Sequence, residues 1–225
     1  MLARLGIDTS SATTATRLVT VGSILRLART GDTIWGTGAN GKSLSETFDF
    51  TDLDVRAVRG PLTQDFLRRR GVAVPDVFGD PGLLVGHLWS RDQLRGGMAR
   101  RPLTVIPNLN DLKAGWSTGP NDVDPRRPLN EVLATIAASD LVVGSSLHAV
   151  VVAESLGIPA RLVVSGAEPR FKYEDYYRGS GRPSFHAAES VREAIDRGGE
   201  SPLEWDPAPL MSAFPADLWC QEIIS

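Results

Sequence analysis

The sequence predicts an α/β protein built on parallel β-sheets that are covered by helices. Short apolar runs alternate along the chain with polar stretches of helical spacing, which is the pattern of strand–helix–strand units. The run at residues 141–143 is continuous, as expected for a strand buried on both faces of a parallel sheet. In the first half of the chain, the predicted strands lie at residues 17–22, 33–36, 55–58 and 77–78.

The first half also contains one predicted helix, at residues 61–70. Pro61 stands at the favoured first position of a helix, and Gly71 follows its last turn. Residues 86–101 are charged, contain glycines and lack strong periodicity, so we expect a linker or a crossing helix there. This segment divides the chain into two expected domains, residues 1–100 and residues 101–225.

The second half repeats the strand and helix pattern. Strands are predicted at residues 103–107, 141–143 and 160–164, and helices at 129–138, 147–156 and about 187–197. The tail from Ser201 contains four prolines and two tryptophans. We expect this tail to fold back over the body of the protein.

Composition excludes several classes of protein. The net charge of −3 argues against a nucleic-acid-binding protein that relies on bulk electrostatics. The single cysteine, Cys220, excludes an internal disulfide and a cysteine-rich metal site. The N-terminus lacks a signal-peptide core, and no apolar run is long enough for a membrane span. We therefore expect a cytoplasmic protein with no integral membrane segment, no metal and no cofactor.

The stretch at residues 140–159, DLVVGSSLHAVVVAESLGIP, predicts a strand, a tight turn and a helix. Free amides at the start of that helix, from Ser145 to Leu147, would favour a phosphate or a carboxylate, and the helix dipole adds to this. His148 lies in the first turn, where an imidazolium could hold and protonate a bound anion. The alternative is an ordinary strand-to-helix turn whose histidine is packed or exposed.

A glycine-rich loop at residues 34–42, IWGTGANGK, follows the predicted strand at 33–36. Gly36 and Gly38 would permit close backbone approach to a ligand. The letters GTGANGKS match the P-loop pattern of nucleotide-binding proteins. A true P-loop needs a long helix from Lys42, and the following SLSETFDFTD is a poor helix, so the nucleotide loop is kept only as an alternative.

Arg59 and Asp80 each follow a predicted strand, where open α/β sheets bind their ligands. An arginine at that edge can bind a carboxylate or a phosphate through two hydrogen bonds. The alternative for Arg59 is a surface ion pair with Asp54 or Asp65. Asp80 either caps a helix or accepts a substrate hydroxyl, and capping is the favoured interpretation.

The segment at residues 170–182, RFKYEDYYRGSGR, combines basic and aromatic side chains. Arg170, Lys172 and Arg182 together with the tyrosines would suit a phosphorylated small molecule or a sugar ring. A solvated helical face would have the same composition, and Glu174 with Arg178 is a standard pair one helical turn apart.

Four stretches together resemble a known family. VRAVRGPLTQDFLRRRGV, VFGDPGLL, DLVVGSSLHAVVVAESLGIPA and FKYEDYY resemble the polysaccharide pyruvyl transferases, in particular the bacterial exopolysaccharide ketal-pyruvate transferases, over roughly residues 18–197. The resemblance implies a fold similar to the two-lobed GT-B glycosyltransferases, with the donor between the lobes. It also implies transfer of the pyruvyl group of phosphoenolpyruvate to two hydroxyls of a saccharide acceptor, with or without a lipid carrier, to form a cyclic ketal and release phosphate.

By this resemblance, Arg59 and His148 are expected to be the catalytic, donor-binding residues. The amides of Ser145, Ser146 and Leu147 would hold the phosphate, Lys172 would be a second phosphate contact, and Gly36 and Gly38 would belong to a glycine-rich turn of the family. Asp80 or Asp175 would orient or deprotonate the acceptor hydroxyl.

The sequence also departs from the family pattern. Many relatives carry an arginine where this chain has Ser146, so we expect Arg170, Lys172 or Arg182 to replace that contact. Ala149 replaces a usual glycine, and an initial Asn-x-Gly-Asp unit is not found, which predicts a shortened N-terminal lobe. Two alternative functions therefore stay open: a sugar-nucleotide glycosyltransferase of GT-B type and a non-catalytic, degenerate relative.

Overall fold

A computed structural model describes residues 17–117 and 119–219, together with Leu2 and Gly6. Cys220 lies outside the described residues. Two parallel sheets of three strands each form the centre of the protein, which confirms the predicted α/β class. The first sheet has the order β1 (Leu18–Val19), β2 (Thr33–Trp35), β3 (Asp54–Ala57), and the second has β4 (Thr104–Val105), β5 (Val142–Gly144), β6 (Ala160–Leu162).

The helices pack against these sheets and against each other. They are α1 (Pro61–Arg68), α2 (Val85–Leu88), α3 (Arg91–Arg95), α4 (Leu109–Lys113), α5 (Leu129–Ala138), α6 (Leu147–Ser155), α7 (Phe171–Gly179), α8 (Val191–Arg197) and α9 (Ala208–Ser212). Short 3-10 turns lie at Leu25–Leu27, Pro81–Leu84 and Ala216–Leu218. Among the described residues, every helix is too short to cross a lipid bilayer.

Local signals in the sequence predicted several of these elements. Helix α5 has the bounds expected from its apolar spacing, and α1 begins at Pro61 as predicted. Gly71 follows α1 with a φ of +79°, a left-handed conformation that favours glycine after a helix. The hydroxyl of Ser146 caps α6 by accepting a hydrogen bond from the amide of Ala149.

Other segments differ from the expectation. Two short helices, α2 and α3, occupy half of residues 86–101, and Ser90 with Gln93 forms a capping box at the start of α3. The segment from Phe171 is a helix, but its tyrosines and Asp175 are buried, so the expected solvated face is limited to the side of Glu174 and Arg178. The predicted strand at 77–78 is reduced to a single bridge between Val58 and Phe78. Helix α4 had not been predicted.

The two halves of the chain interlock where α7 crosses the start of α1. A Cβ atom placed on Gly179 would lie 2.0 Å from the carbonyl oxygen of Arg59, and one on Gly60 would lie 1.9 Å from that of Asp175. The backbones therefore touch without intervening side chains. Leu83, from the first half, lies in the hydrophobic cluster of the second sheet. The division into domains at residue 100 stays a prediction.

The C-terminal tail folds back over the body, as predicted. The indole Nε1 of Trp35 donates a 2.9 Å hydrogen bond to the carbonyl oxygen of Leu210, which is fully buried. Trp205 packs beside them in the same cluster, and Phe214 meets the Trp35 ring edge-on at 5.0 Å. The tail therefore closes one end of the first sheet.

We expect Gly179→Ala to destabilise the protein, because the added methyl group cannot fit against the backbone of Arg59. Overpacking of a tight contact costs about 1–3 kcal/mol and more where backbone must move. Urea denaturation monitored by circular dichroism measures this change. Gly97→Ala is the matched control, since a Cβ there meets no atom within 4 Å. Equal midpoints for the two variants would contradict the close approach of α1 and α7.

Candidate functional site

The loops that follow the three strands of the second sheet are joined by hydrogen bonds at the carboxyl edge of that sheet. Ser145, after β5, is buried and accepts a 3.0 Å hydrogen bond from the amide of Asn108, after β4. The side-chain amide of Asn108 donates to the hydroxyl of Ser165, after β6, at 2.9 Å. The hydroxyl of Tyr173 in α7 donates to the carbonyl oxygen of Ser145 at 2.8 Å. This network fixes three loops and one helix around a common space.

That space is a polar cavity of about 340 Å³. Its walls come from both halves of the chain, and they combine amide, hydroxyl, imidazole, ammonium and carboxylate groups. The lining residues are Ser23, Asn40, Asn108, Leu109, Asn110, Pro125, Ser146, Leu147, His148, Glu168 and Lys172. Among the described residues, no group of three or more histidine, cysteine, aspartate or glutamate side chains is placed to hold a metal ion.

His148 faces this cavity and is backed by Asp80. Its Nε2 lies 3.4 Å from Oδ2 of Asp80, an ion-pair distance without hydrogen-bond geometry, and both atoms are buried. The histidine side chain as a whole is 39% exposed, while the aspartate is fully buried. Since Nε2 is turned away from solvent, Nδ1 is the nitrogen available to a ligand.

Asp80 caps a helical turn and places a negative charge beside His148. Its Oδ1 accepts a 2.9 Å hydrogen bond from the amide of Gly82, so it caps the Pro81–Leu84 turn as predicted. Burial raises the pKa of Asp80, but the positive charges of His148 and Arg59 and the bond from Gly82 outweigh burial, and the net pKa lies below its usual value. The carboxylate therefore stays ionised at neutral pH beside the imidazole.

Lys172 supplies the positive charge that the sequence predicted in this cavity. Its side chain is 12% exposed, and Nζ lies 3.0 Å from Oε2 of Glu168. Burial lowers the pKa of Lys172, and Arg59 and Lys42 act in the same direction, while the Glu168 carboxylate opposes them. The pKa of Glu168 is also lowered, because its bonds to both lysines outweigh the effect of burial.

Arg59 lies behind the cavity wall, and its guanidinium is not among the lining groups. The side chain is fully buried, and its Nε donates to Oδ2 of Asp175 at 3.0 Å. Its remaining hydrogen bonds go to the hydroxyl of Ser23 at 2.6 Å and to the carbonyl oxygen of Ala39 at 2.9 Å. Neither Asp54 nor Asp65 is its partner. Ser23, one of its hydrogen-bond partners, lines the cavity, and direct contact of Arg59 with a donor stays a prediction.

The glycine-rich loop packs against protein atoms. The amide of Gly36 donates to Ala57 and that of Gly38 to Gly22, each at 2.9 Å, so these amides are already bonded. A Cβ on Gly38 would lie 2.2 Å from Cζ of Arg59, which explains the glycine. Turns follow Lys42 where a P-loop would begin its helix. Of this loop, Asn40 reaches the cavity.

The other predicted site residues divide between the cavity and the body of the protein. Ser146 and Leu147 line the cavity, but the amide of Ser146 donates to the carbonyl oxygen of Ile106 at 3.1 Å. Arg182 pairs with Glu154 at 2.6 Å and lies over the ring of Tyr177. Arg170 is exposed and lies 5.1 Å from the ring centre of Phe185. Neither arginine lines the cavity.

Sequence reasoning missed several residues of the site. Glu168 was not singled out, although it lies in a loop after a predicted strand, the position that drew attention to Asp80. Asn40 and Asn108 were also missed, because asparagine in a loop usually signals a turn or a cap. Asn108 does cap α4, and it also lines the cavity. Asp175, proposed as a base, is fully buried between Arg59 and Thr63.

Comparison with known proteins identifies the family. The sequence profile of the polysaccharide pyruvyl transferases matches residues 24–166, which is more than half of the chain. The chain belongs to the polysaccharide pyruvyl transferase family. This result confirms the resemblance found in the sequence.

A curated relative agrees with the family. The chain is 30% identical over 197 residues to the succinoglycan biosynthesis protein ExoV of Rhizobium meliloti (strain 1021). The matched region covers 81% of this chain and 60% of that protein, so the chain spans about 60% of the length of its relative. No solved structure matches the chain.

We expect Asp175→Ala to be strongly destabilising, because it leaves the guanidinium of Arg59 buried without its counter-charge. Breaking one partner of a buried ion pair costs about 3–5 kcal/mol. Urea denaturation at pH 7 measures the loss. Asp124→Ala is the control, since Asp124 pairs with Arg126 at the surface and its removal should not measurably change the midpoint. Similar midpoints for the two variants would show that the buried pair is not needed for stability.

Proposed function

We propose that this protein transfers the pyruvyl group of phosphoenolpyruvate to two hydroxyls of a saccharide, forming a ketal, in the synthesis of an exopolysaccharide. The observation that carries the proposal is the common cavity of His148 and Lys172, a proton carrier and a cation around about 340 Å³ of polar space. Family membership supports the reaction type, and the relative named for succinoglycan biosynthesis supports the kind of acceptor. In this proposal the two sheets would belong to a GT-B-like arrangement.

The donor requires the groups that line the cavity. Phosphoenolpyruvate carries a phosphate and a carboxylate, so cations and hydrogen-bond donors must hold two anionic groups. Lys172 and the side-chain amides of Asn40, Asn108 and Asn110 offer such donors. Arg59 holds Ser23 of the cavity wall through a hydrogen bond, while its own charge is balanced by Asp175.

His148 would carry out the proton transfer. Its Nδ1 donates a proton to the methylene carbon of the donor, which becomes a methyl group, and the adjacent carbon becomes electrophilic. The first acceptor hydroxyl forms a bond to that carbon and gives its proton to the neutral imidazole. The second hydroxyl then bonds to the same carbon as the bond to phosphate breaks, and its proton leaves with hydrogen phosphate. Asp80 stabilises the imidazolium in this cycle.

We expect His148→Asn to reduce the turnover number about 10²–10⁴-fold, which is the usual contribution of a general acid. Phosphate released from phosphoenolpyruvate is measured with and without oligosaccharides of succinoglycan type. Release should depend on the oligosaccharide. His186→Asn is the control, because His186 is exposed and does not line the cavity. It should keep wild-type turnover.

Two results would contradict the proposal. If a nucleoside diphosphate raises the melting temperature and phosphoenolpyruvate does not, the protein is instead a sugar-nucleotide glycosyltransferase. If neither ligand changes the melting temperature and no phosphate is released with any acceptor, the chain is a non-catalytic relative.

We expect Asp80→Asn to separate the two roles of Asp80. Asparagine caps a helical turn about as well as aspartate, so the melting temperature should change little. The negative charge beside His148 is lost, and the turnover number should fall about 10-fold or more, since the imidazolium loses its counter-charge. Steady-state kinetics and a thermal melt measure the two effects. Loss of stability with unchanged turnover would limit Asp80 to its capping role.

A further inference from the structure

Two of the three lysines in the chain meet at one buried carboxylate. The sequence contains Lys42, Lys113 and Lys172 and no other lysine. The Nζ of Lys42 lies 2.9 Å from Oε1 of Glu168, and the Nζ of Lys172 lies 3.0 Å from Oε2 of the same residue. The Glu168 side chain is 2% exposed. Asn110 donates a further hydrogen bond to Oε1.

This cluster differs from the other ion pairs in the protein. In the described part of the chain, every other pair of a lysine or arginine with a carboxylate uses arginine. Arginine satisfies a carboxylate with two parallel bonds, whereas lysine is a compact point charge with three donors. After one contact with Glu168, each ammonium group keeps two donors for another acceptor. A structural pair alone would not need two such groups on one carboxylate.

The position of the cluster indicates what that second acceptor is. Glu168 and Lys172 line the polar cavity, and so does Asn40, two residues before Lys42 in the glycine-rich loop. Two ammonium groups and one carboxylate leave a net positive charge at this cluster, whereas the charge of Arg59 is balanced by Asp175. This positive excess, with ammonium donors left for further hydrogen bonds, favours a dianion such as a phosphate monoester.

We propose that Lys42 is a second phosphate-binding residue of this site, and that Glu168 is the positioning residue that holds Lys42 and Lys172 toward the bound phosphate. This inference rests on the proposed function for the identity of the donor. It assigns a role to the lysine of the GTGANGKS string that differs from that of a P-loop. It also links the two halves of the chain, because Lys42 follows β2 of the first sheet and Glu168 follows β6 of the second.

The charges around Lys172 give this arrangement a characteristic pH dependence. Lys172 is surrounded by Glu168, Lys42 and Arg59, and His148 lines the same cavity. Donor binding weakens at alkaline pH as Lys172 loses its proton. Glu168→Gln removes the carboxylate that raises the pKa of Lys172, so donor binding should begin to weaken at a lower pH. Lys42→Gln removes a repelling charge, so the weakening should begin at higher pH.

The test is isothermal titration of the full chain with phosphoenolpyruvate, and separately with inorganic phosphate, between pH 6 and 10. Lys42→Gln should weaken binding of both ligands about 10–100-fold at neutral pH, as expected for one charge-assisted hydrogen bond. Lys42→Arg should restore most of the loss. Lys113→Gln is the matched control, since Lys113 is exposed and does not line the cavity, and it should bind like the wild type. In steady-state assays, Lys42→Gln should raise KM for phosphoenolpyruvate with a smaller effect on kcat.

Each outcome decides between the two proposals. The inference is overturned if Lys42→Gln binds both ligands as tightly as Lys113→Gln does. It is also overturned if Lys42→Gln and Glu168→Gln shift the pH at which ligand binding weakens in the same direction. If the wild type binds inorganic phosphate but not phosphoenolpyruvate, the proposed function fails, and the phosphate titrations still test Lys42 and Glu168. If the wild type binds neither ligand, both proposals fail.

Discussion

The buried ion pair of Arg59 and Asp175 is the interaction on which the rest of the site depends. It joins the end of β3 to α7 in a place that solvent does not reach. The same guanidinium bonds to the glycine-rich loop at Ala39 and to Ser23, and the same carboxylate accepts from Thr63 in α1. Five segments thus meet around two charges. Because α7 also carries Lys172, the position of one cavity wall follows from this pair.

Much of the fold could be predicted because its signals are local. Helix α5 follows from apolar spacing, α1 from a proline start and a glycine stop, and β5 from a continuous apolar run. The segment that became α7 was ambiguous, since its basic and aromatic side chains suit a ligand loop as well as a helix face. Tertiary contacts determine its conformation: Gly179 lies against the backbone of Arg59, and Tyr173 donates a hydrogen bond to the loop after β5. Such contacts between distant residues leave no periodic pattern in a single sequence.

The candidate site was predictable in part for the same reason. His148 lies in the cavity because a turn at a strand end reliably directs the first helical residues to the sheet edge. Arg59 satisfies the same rule, yet Asp175 and Ala39 from elsewhere in the chain enclose its side chain. Arg170 and Arg182 are close to Lys172 in sequence, but in the helical segment only Lys172 points to the cavity. Glu168 was missed because its importance depends on two lysines that approach it from different halves of the chain.

The shielded Nε2 of His148 has a consequence for how a catalytic cycle could be completed. With that nitrogen closed off by Asp80, the ring can exchange protons only on the side that the reactants occupy. Bulk water cannot reach Nε2, so it cannot protonate the ring from the side of Asp80. In the proposed reaction, Nδ1 gives a proton to the methylene carbon of the donor and takes one from the acceptor hydroxyl, so one nitrogen serves both reactants in turn.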